Sequence, residues 1–147
     1  MVNPILEFVA VISAALFAGA ALYINIAEHP ARMALETHMA ALQWAPSYKR
    51  ATWLQAPLAL ISLVSGVAVW LLGGGVGWLV AALLVGAVVP FTFGVIMPTN
   101  NKLLMAGRDL SSSETRGLLV RWGQLHAVRT SLSLAGTVVY LWQLLGA

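Results

Sequence analysis

Four long stretches of this chain are almost free of charge, and the segments between them are not. Apolar residues dominate positions 4–27, 51–72, 76–97 and 118–145. A helix needs about 20 mostly apolar residues to cross a bilayer, so each stretch reads as a membrane span. With flanking turns included, helices are expected over residues 4–29, 48–72, 76–105 and 112–145. The fold class expected is all-α: an antiparallel four-helix transmembrane bundle forming a single domain, residues 1–147. Pro4 suits a first helical position. Gly73-Gly74-Gly75 leaves room only for a tight turn, so the second and third helices form a hairpin. Ser111-Ser112-Ser113-Glu114 matches a capping box with Ser111 as N-cap and Glu114 at the third position. Leu35, Met39 and Leu42 recur at helical spacing, and Arg32 and Glu36 stand four apart. This predicts a short interfacial helix between helices one and two, or a bent continuation of helix one. A further helical turn after residue 101 is expected to end at Gly107. Pro57 and Pro90 fall inside spans and can each free a backbone carbonyl. Ala14, Ala18, Ala21 and Gly66 permit close helix contacts.

Composition strengthens this picture. The 147 residues are 60% hydrophobic and 9% charged, against about a quarter charged in an ordinary soluble domain. The net charge of +3 reflects eight Lys and Arg residues, all beside or entering spans, which argues for membrane topology and against a nucleic-acid partner. They are Arg32, Lys49, Arg50, Lys102, Arg108, Arg116, Arg121 and Arg129, and they occupy one side. The positive-inside rule then places both long loops in the cytoplasm and both termini outside the plasma (inner) membrane. The first apolar run lacks a basic leader and is read as a retained span. Six tryptophans fall in two groups, Trp70, Trp78 and Trp142 at the outer ends and Trp44, Trp53 and Trp122 at the inner ends, as in aromatic belts. With no cysteine, disulfides, thiolate metal sites and cysteine nucleophiles are excluded.

The polar residues inside the spans carry the chemistry. Trp122, His126, Arg129, Thr130 and Ser133 share one face of helix four. Counting back from Trp142 at 1.5 Å per residue places Arg129 about 10 Å inside the inner boundary and His126 about half that. A lipid-facing stripe of this kind is too costly, so the face points into the bundle. Asn25, Glu28, His29 and Arg32 share a face at the end of helix one, beside Tyr23. Trp53 and Gln55 from span two and Asn100 and Asn101 after span three reach the same level. Glu28 is the expected acidic partner of Arg129, either as a helix-locking ion pair or within a site. His29, His38, Asn100 and Asn101 also fit ordinary polar helix ends. Glu28, His29 and His126 are the candidate metal ligands, but Glu28 and His29 splay about 100° apart on a helix, and no HExxH or i,i+4 histidine pair exists. A bis-histidine haem is disfavoured, because only His126 lies clearly at membrane depth.

Three segments carry a resemblance. Ala18-Gly19-Ala20-Ala21-Leu22-Tyr23-Ile24-Asn25-Ile26-Ala27-Glu28-His29-Pro30-Ala31-Arg32, Pro98-Thr99-Asn100-Asn101-Lys102-Leu103 and Trp122-Gly123-Gln124-Leu125-His126-Ala127-Val128-Arg129 resemble, in this order, segments of the anthrone oxygenase-like four-helix membrane proteins. The resemblance implies oxidation of an anthrone, or a similar flat phenolic substrate, to an anthraquinone with dioxygen. In that reading His126 is the base, Arg129 stabilises the enolate oxygen and Glu28 holds His126 in its tautomer. Tyr23, Asn25, Trp53, Asn100, Asn101 and Trp122 contact the substrate, which enters between helices beside Trp53 and Trp122. The carbanion chemistry needs no obligatory cofactor, with a metal ion as the alternative. The expected partners are the lipid bilayer and an apolar small molecule, and a homo-oligomer is left open. The competing readings are a non-catalytic small-molecule or lipid binder and a structural or assembly subunit.

Overall fold

The computed structural model describes residues 3–146 and is helical throughout, apart from short links. The ends of the expected 1–147 domain, positions 1, 2 and 147, lie outside the described residues. Four long helices follow one another: α1 Pro4–Met33, α2 Thr37–Leu71, α3 Val76–Leu103 and α4 Ser113–Leu144. Each packs on its neighbours in sequence, and α4 closes the ring against α1. Short links between successive helices make adjacent pairs antiparallel. The all-α bundle expected from the apolar pattern is therefore the fold.

Local chemistry sets the ends. The Asn3 side chain accepts the Ile5 N–H at 2.9 Å, and Pro4 occupies the first turn of α1. After α2, Gly73 takes φ +95°, and the Gly74 and Gly73 N–H groups donate to the carbonyls of Val69 and Trp70. This Schellman closure needs a residue free to adopt the left-handed region. At α4 the N-cap is Ser112, not Ser111: the Ser112 hydroxyl accepts the Thr115 N–H at 3.1 Å. Ser111 instead donates its N–H to the Asp109 carboxylate, an Asx turn that shifts the cap by one residue.

The expected interfacial helix is not a separate element. His29–Met33 continues α1, and Thr37 already starts α2. Ala40, Ala41 and Trp44 are buried against the bundle, which draws this stretch into α2 as its first turns. The link is clamped by Arg116 of α4, which donates to the backbone carbonyls of Leu35 (2.9 Å) and Met33. Arg32 pairs with Glu28 at 2.6 Å rather than with Glu36, which is exposed at the N-cap of α2. Helix α3 ends at Leu103, and Gly107 serves the following loop with φ +76°.

Two stretches are wound as π-helix, Ile24–Glu28 in α1 and Thr92–Ile96 in α3. The second follows Pro90, whose missing N–H disrupts the regular ladder. Pro46 and Pro57 sit within α2, which stays α-helical throughout.

Among the described residues three helices, α1, α2 and α3, are long and apolar enough to cross a membrane. Helix α4, expected as the fourth span, is as long but less apolar than the other three. Its buried face is polar: Thr115, His126, Thr130, Ser133 and Thr137 face inward while Val128, Val138 and Leu141 face out. The same inversion holds in α2, where Gln55, Ser62 and Ser65 are buried and Leu54, Leu60, Ile61 and Val64 are exposed. An outward apolar surface around polar interior faces is what a lipid solvent selects. Of the tryptophans, Trp53, Trp70 and Trp142 face outward, but Trp44, Trp78 and Trp122 belong to the core rather than to belts.

Candidate functional site

The π-helical turn of α1 brings Asn25 against α4. Its Nδ2 donates to the Gly123 carbonyl at 3.2 Å, which turns Oδ1 toward His126 and Thr130. The Thr130 hydroxyl lies 2.5 Å from that oxygen and His126 Nδ1 lies 2.9 Å from it. A carbonyl oxygen only accepts, so His126 Nδ1 carries the proton. Its Nε2 is then a lone-pair nitrogen, and no hydrogen-bond partner stands at it among the described residues. The imidazole is 2% exposed and packs 4.9 Å from the Trp122 ring. It is an oriented base in a nearly dry interior.

Trp122 separates two histidines. His29 approaches it at 5.2 Å, and the Arg32 guanidinium stands 5.6 Å from the ring centroid. Arg32 Nη1 faces His29 Nδ1 at 2.9 Å, and since a guanidinium only donates, His29 accepts there. His29 is thus the opposite tautomer of His126. Gly123 permits this packing: a Cβ there would come within 2.5 Å of the His29 ring.

Arg129 is one turn beyond His126. Its Nη2 donates to Gln55 Oε1 at 3.0 Å, and its guanidinium lies 5.4 Å from the Phe17 ring centroid. The expected pair with Glu28 is not formed. Glu28 is held by Arg32, Ser47 and Gln43, and Asn25 rather than Glu28 sets the His126 tautomer. Residues four apart on one helix reach each other without bringing two helices into register, which is why Arg32 captures Glu28.

The other expected residues divide by face. Asn100 is fully buried and neither its Oδ1 nor its Nδ2 has a hydrogen-bond partner among the described residues. Its neighbour Asn101 is exposed, as adjacent helical positions point about 100° apart. Trp53 is 84% exposed, outside the buried cluster. Tyr23 is largely exposed and lines an open cleft of about 570 Å³ with Glu28, Ser47, Arg50 and Gln55. His38 is exposed and His29 is buried. The metal candidates Glu28, His29 and His126 do not converge, and no group of three His, Cys, Asp or Glu residues suited to a metal occurs among the described residues. Sequence reasoning missed Arg32 as the partner of Glu28, although the four-residue spacing signals it. It also passed over Phe17 and Tyr48, which no local pattern distinguishes from core.

Fold and site together define a small helical membrane protein whose polar chemistry is buried between helices α1, α2 and α4. The chain belongs to the anthrone oxygenase family: the family model described as anthrone oxygenase matches residues 44–139. It is 34% identical over 117 residues to an anthrone oxygenase of Pestalotiopsis fici, covering 69% of this chain and 82% of that protein. It is 43% identical over 76 residues to an anthrone oxygenase of Aspergillus fumigatus, covering 50% of this chain and 47% of the relative. An anthrone oxygenase of Claviceps purpurea is 33% identical over 73 residues, 44% of this chain and 42% of the relative. The matched stretch thus spans under half the length of the last two. No solved structure matches the chain. The family match contains Gln55, Asn100, Trp122, His126 and Arg129, whereas Asn25, Glu28, His29 and Arg32 precede it.

Proposed function

We propose that this protein is a membrane oxygenase that converts a flat phenolic, anthrone-like carbon acid to a quinone with dioxygen. The observation that carries the reading is His126: a buried imidazole whose Nδ1–H is held by Asn25, leaving Nε2 free to take a proton. Family membership supports the reaction class.

An anthrone methylene is acidic because its carbanion is delocalised over two aryl rings and the carbonyl. His126 Nε2 removes one C–H proton, and the carbanion's electron pair forms a C–O bond to dioxygen. His126 returns that proton to the peroxide. It then takes the second C–H proton as the O–O bond breaks, and gives it to the departing hydroxide. One oxygen atom becomes the new carbonyl and the other leaves as water with both methylene hydrogens. The Arg129 cation, about 4.5 Å further along α4, is available to the enolate oxygen that develops at the opposite ring position. Asn100, with both amide groups uncommitted, is the neutral group available to orient a carbonyl.

The charge distribution supports a plasma-membrane setting with the arginine-rich loops in the cytoplasm and the termini outside. A flat, apolar substrate concentrates in such a membrane. The test is turnover of an anthrone to its anthraquinone, followed by absorbance and oxygen uptake in membranes. His126→Ala is expected to lower the rate by about 100-fold or more, and undiminished turnover would remove His126 from the mechanism.

A further inference from the structure

We infer that the cavity between α2 and α3 is a lateral binding chamber for a planar aromatic anion, entered from the lipid and held by Arg129. The cavity measures about 180 Å³, and among its walls are Phe17, Tyr48, Ala56, Ala59 and Phe93. Arg129 is the one charged residue that lines it. The inference takes its substrate identity from the oxygenase reading, whereas the chamber's shape and charge stand apart from it.

Three observations converge. The first is shape. Phe17, Tyr48 and Phe93 give the cavity aromatic walls, and the Tyr48 ring is fixed by stacking on Trp44 at 5.0 Å with an interplanar angle of 1°. Ala56 and Ala59 keep the α2 side shallow. Flat faces with small residues opposite select a planar guest over a branched acyl chain.

The second is charge. The only side-chain hydrogen bond of Arg129 among the described residues goes to neutral Gln55, and its buried Nε has no partner. The carboxylates found in ion pairs there are Glu28 with Arg32 and Glu114 with Arg108, so none balances Arg129. Arg129 is half-buried; a cation so placed without a counter-ion is costly, and an anionic ligand removes that cost. The threonines of the wall offer no competing donor, because Thr52 donates to the Tyr48 carbonyl (2.9 Å) and Thr92 to the Val88 carbonyl (2.6 Å). That leaves the guanidinium as the charged donor of the wall, with the Tyr48 hydroxyl as the one neutral side-chain donor beside it. An anthrol or phenol oxygen in its ionised form meets that demand.

The third is access. Thr52, Ala56 and Phe93 line the cavity and are also exposed on the outer faces of α2 and α3, two helices suited to crossing a membrane. The mouth therefore opens sideways toward lipid. Gln55 closes the opposite side: it bonds Arg129 and also lines the wider cleft that contains Glu28. That carboxylate makes the wider cleft a poor host for an anion.

The test measures binding separately from turnover. The purified protein in lipid nanodiscs is titrated with 1,8-dihydroxyanthraquinone, a planar acidic product-class probe, and with neutral anthracene. Tryptophan quenching reports occupancy. Ala56→Phe and Thr52→Phe, both at the exposed mouth, are each expected to weaken both probes at least tenfold. Arg129→Gln is expected to weaken the dihydroxyanthraquinone tenfold at a pH where it is ionised, and anthracene less than threefold. Using two mouth variants keeps the test decisive if one fails to fold, as checked by circular dichroism. Affinities within twofold of the parent in the folded mouth variants, or equal losses for both probes in Arg129→Gln, overturn the chamber. His126→Ala that binds normally but does not turn over supports both readings. Probe binding that obeys these rules without anthrone oxidation by the parent protein sinks the oxygenase reading and leaves the chamber intact. Oxidation that ignores both mouth variants does the reverse.

Discussion

The two ends of the bundle treat buried polar groups in opposite ways. Near the triglycine turn no fully buried side-chain nitrogen or oxygen lacks a partner among the described residues. The Ser62 hydroxyl donates to the Ala10 carbonyl at 3.0 Å, and the Tyr140 hydroxyl donates to the Ser62 carbonyl at 3.0 Å. Around them Val69, Trp78, Ala81 and Val85 pack without exposure of consequence. The other end holds all the buried side-chain atoms lacking a partner among the described residues: Trp44 Nε1, Gln55 Nε2, Arg129 Nε and both polar atoms of Asn100. An unmade buried hydrogen bond costs about 1–3 kcal/mol. A fold that satisfies its most deeply buried polar atoms at one end and leaves them open at the other is locked at the first and prepared for a ligand at the second.

Substitutions at three positions test this contrast, beyond those given with the proposals. Asn25→Leu is expected to have the largest effect. It strips the acceptor from His126 Nδ1–H and from Thr130, and the donor from the Gly123 carbonyl. Turnover should fall by about 100-fold and stability by about 1–3 kcal/mol. Asn25→Asp, which keeps the acceptor, should recover part of the rate. Anthrone oxidation alongside thermal unfolding in detergent measures both. If Asn25→Leu loses stability alone, the His126 end is as purely structural as the other.

Gly66→Ala probes the locked end. A Cβ at Gly66 would overlap the Tyr140 hydroxyl and crowd Ala82. Overpacking of this kind typically costs about 1–3 kcal/mol. The expected result is a lower unfolding temperature with unchanged turnover per folded molecule. A change in turnover by the folded fraction would show that the two ends are coupled.

Asn100→Leu should move stability least, within about 1 kcal/mol and in either direction, because the fold supplies Asn100 no hydrogen bond to lose. Its effect on the KM for an anthrone is the informative quantity. A raised KM with unaltered stability assigns Asn100 to the substrate. A fall of several kcal/mol would mean that the fold relies on Asn100, and would end the contrast at that position.

The order and type of the helices were legible in the sequence because lipid demands unbroken apolar runs and internally satisfied backbones. The start of α1 and the α2–α3 turn were legible too, since Pro4 and the triglycine act within a few residues of themselves, whereas the start of α2 fell at Thr37 because Ala40, Ala41 and Trp44 are drawn into the bundle. So was the membership of the polar cluster: Asn25, His126 and Arg129 stand out wherever an apolar helix carries them. Partner choice was not legible. Glu28 had two arginines within reach of a plausible argument, and it took Arg32 because the same helix presents it. Trp53 and Trp122 look alike along the chain, yet one faces outward and the other divides two histidines. Asn100 and Asn101 differ by a single helical step. The π-helical turns at Ile24–Glu28 and Thr92–Ile96 reset the faces that simple periodicity assigns to the residues within and after them. Hydrophobic patterning thus decides which segments become helices, because it is a property of each segment against its solvent. Which side chains meet depends on rotation and register between helices, and those follow from packing at contacts such as Gly66 on Tyr140 and Gly123 on His29, far apart in the chain.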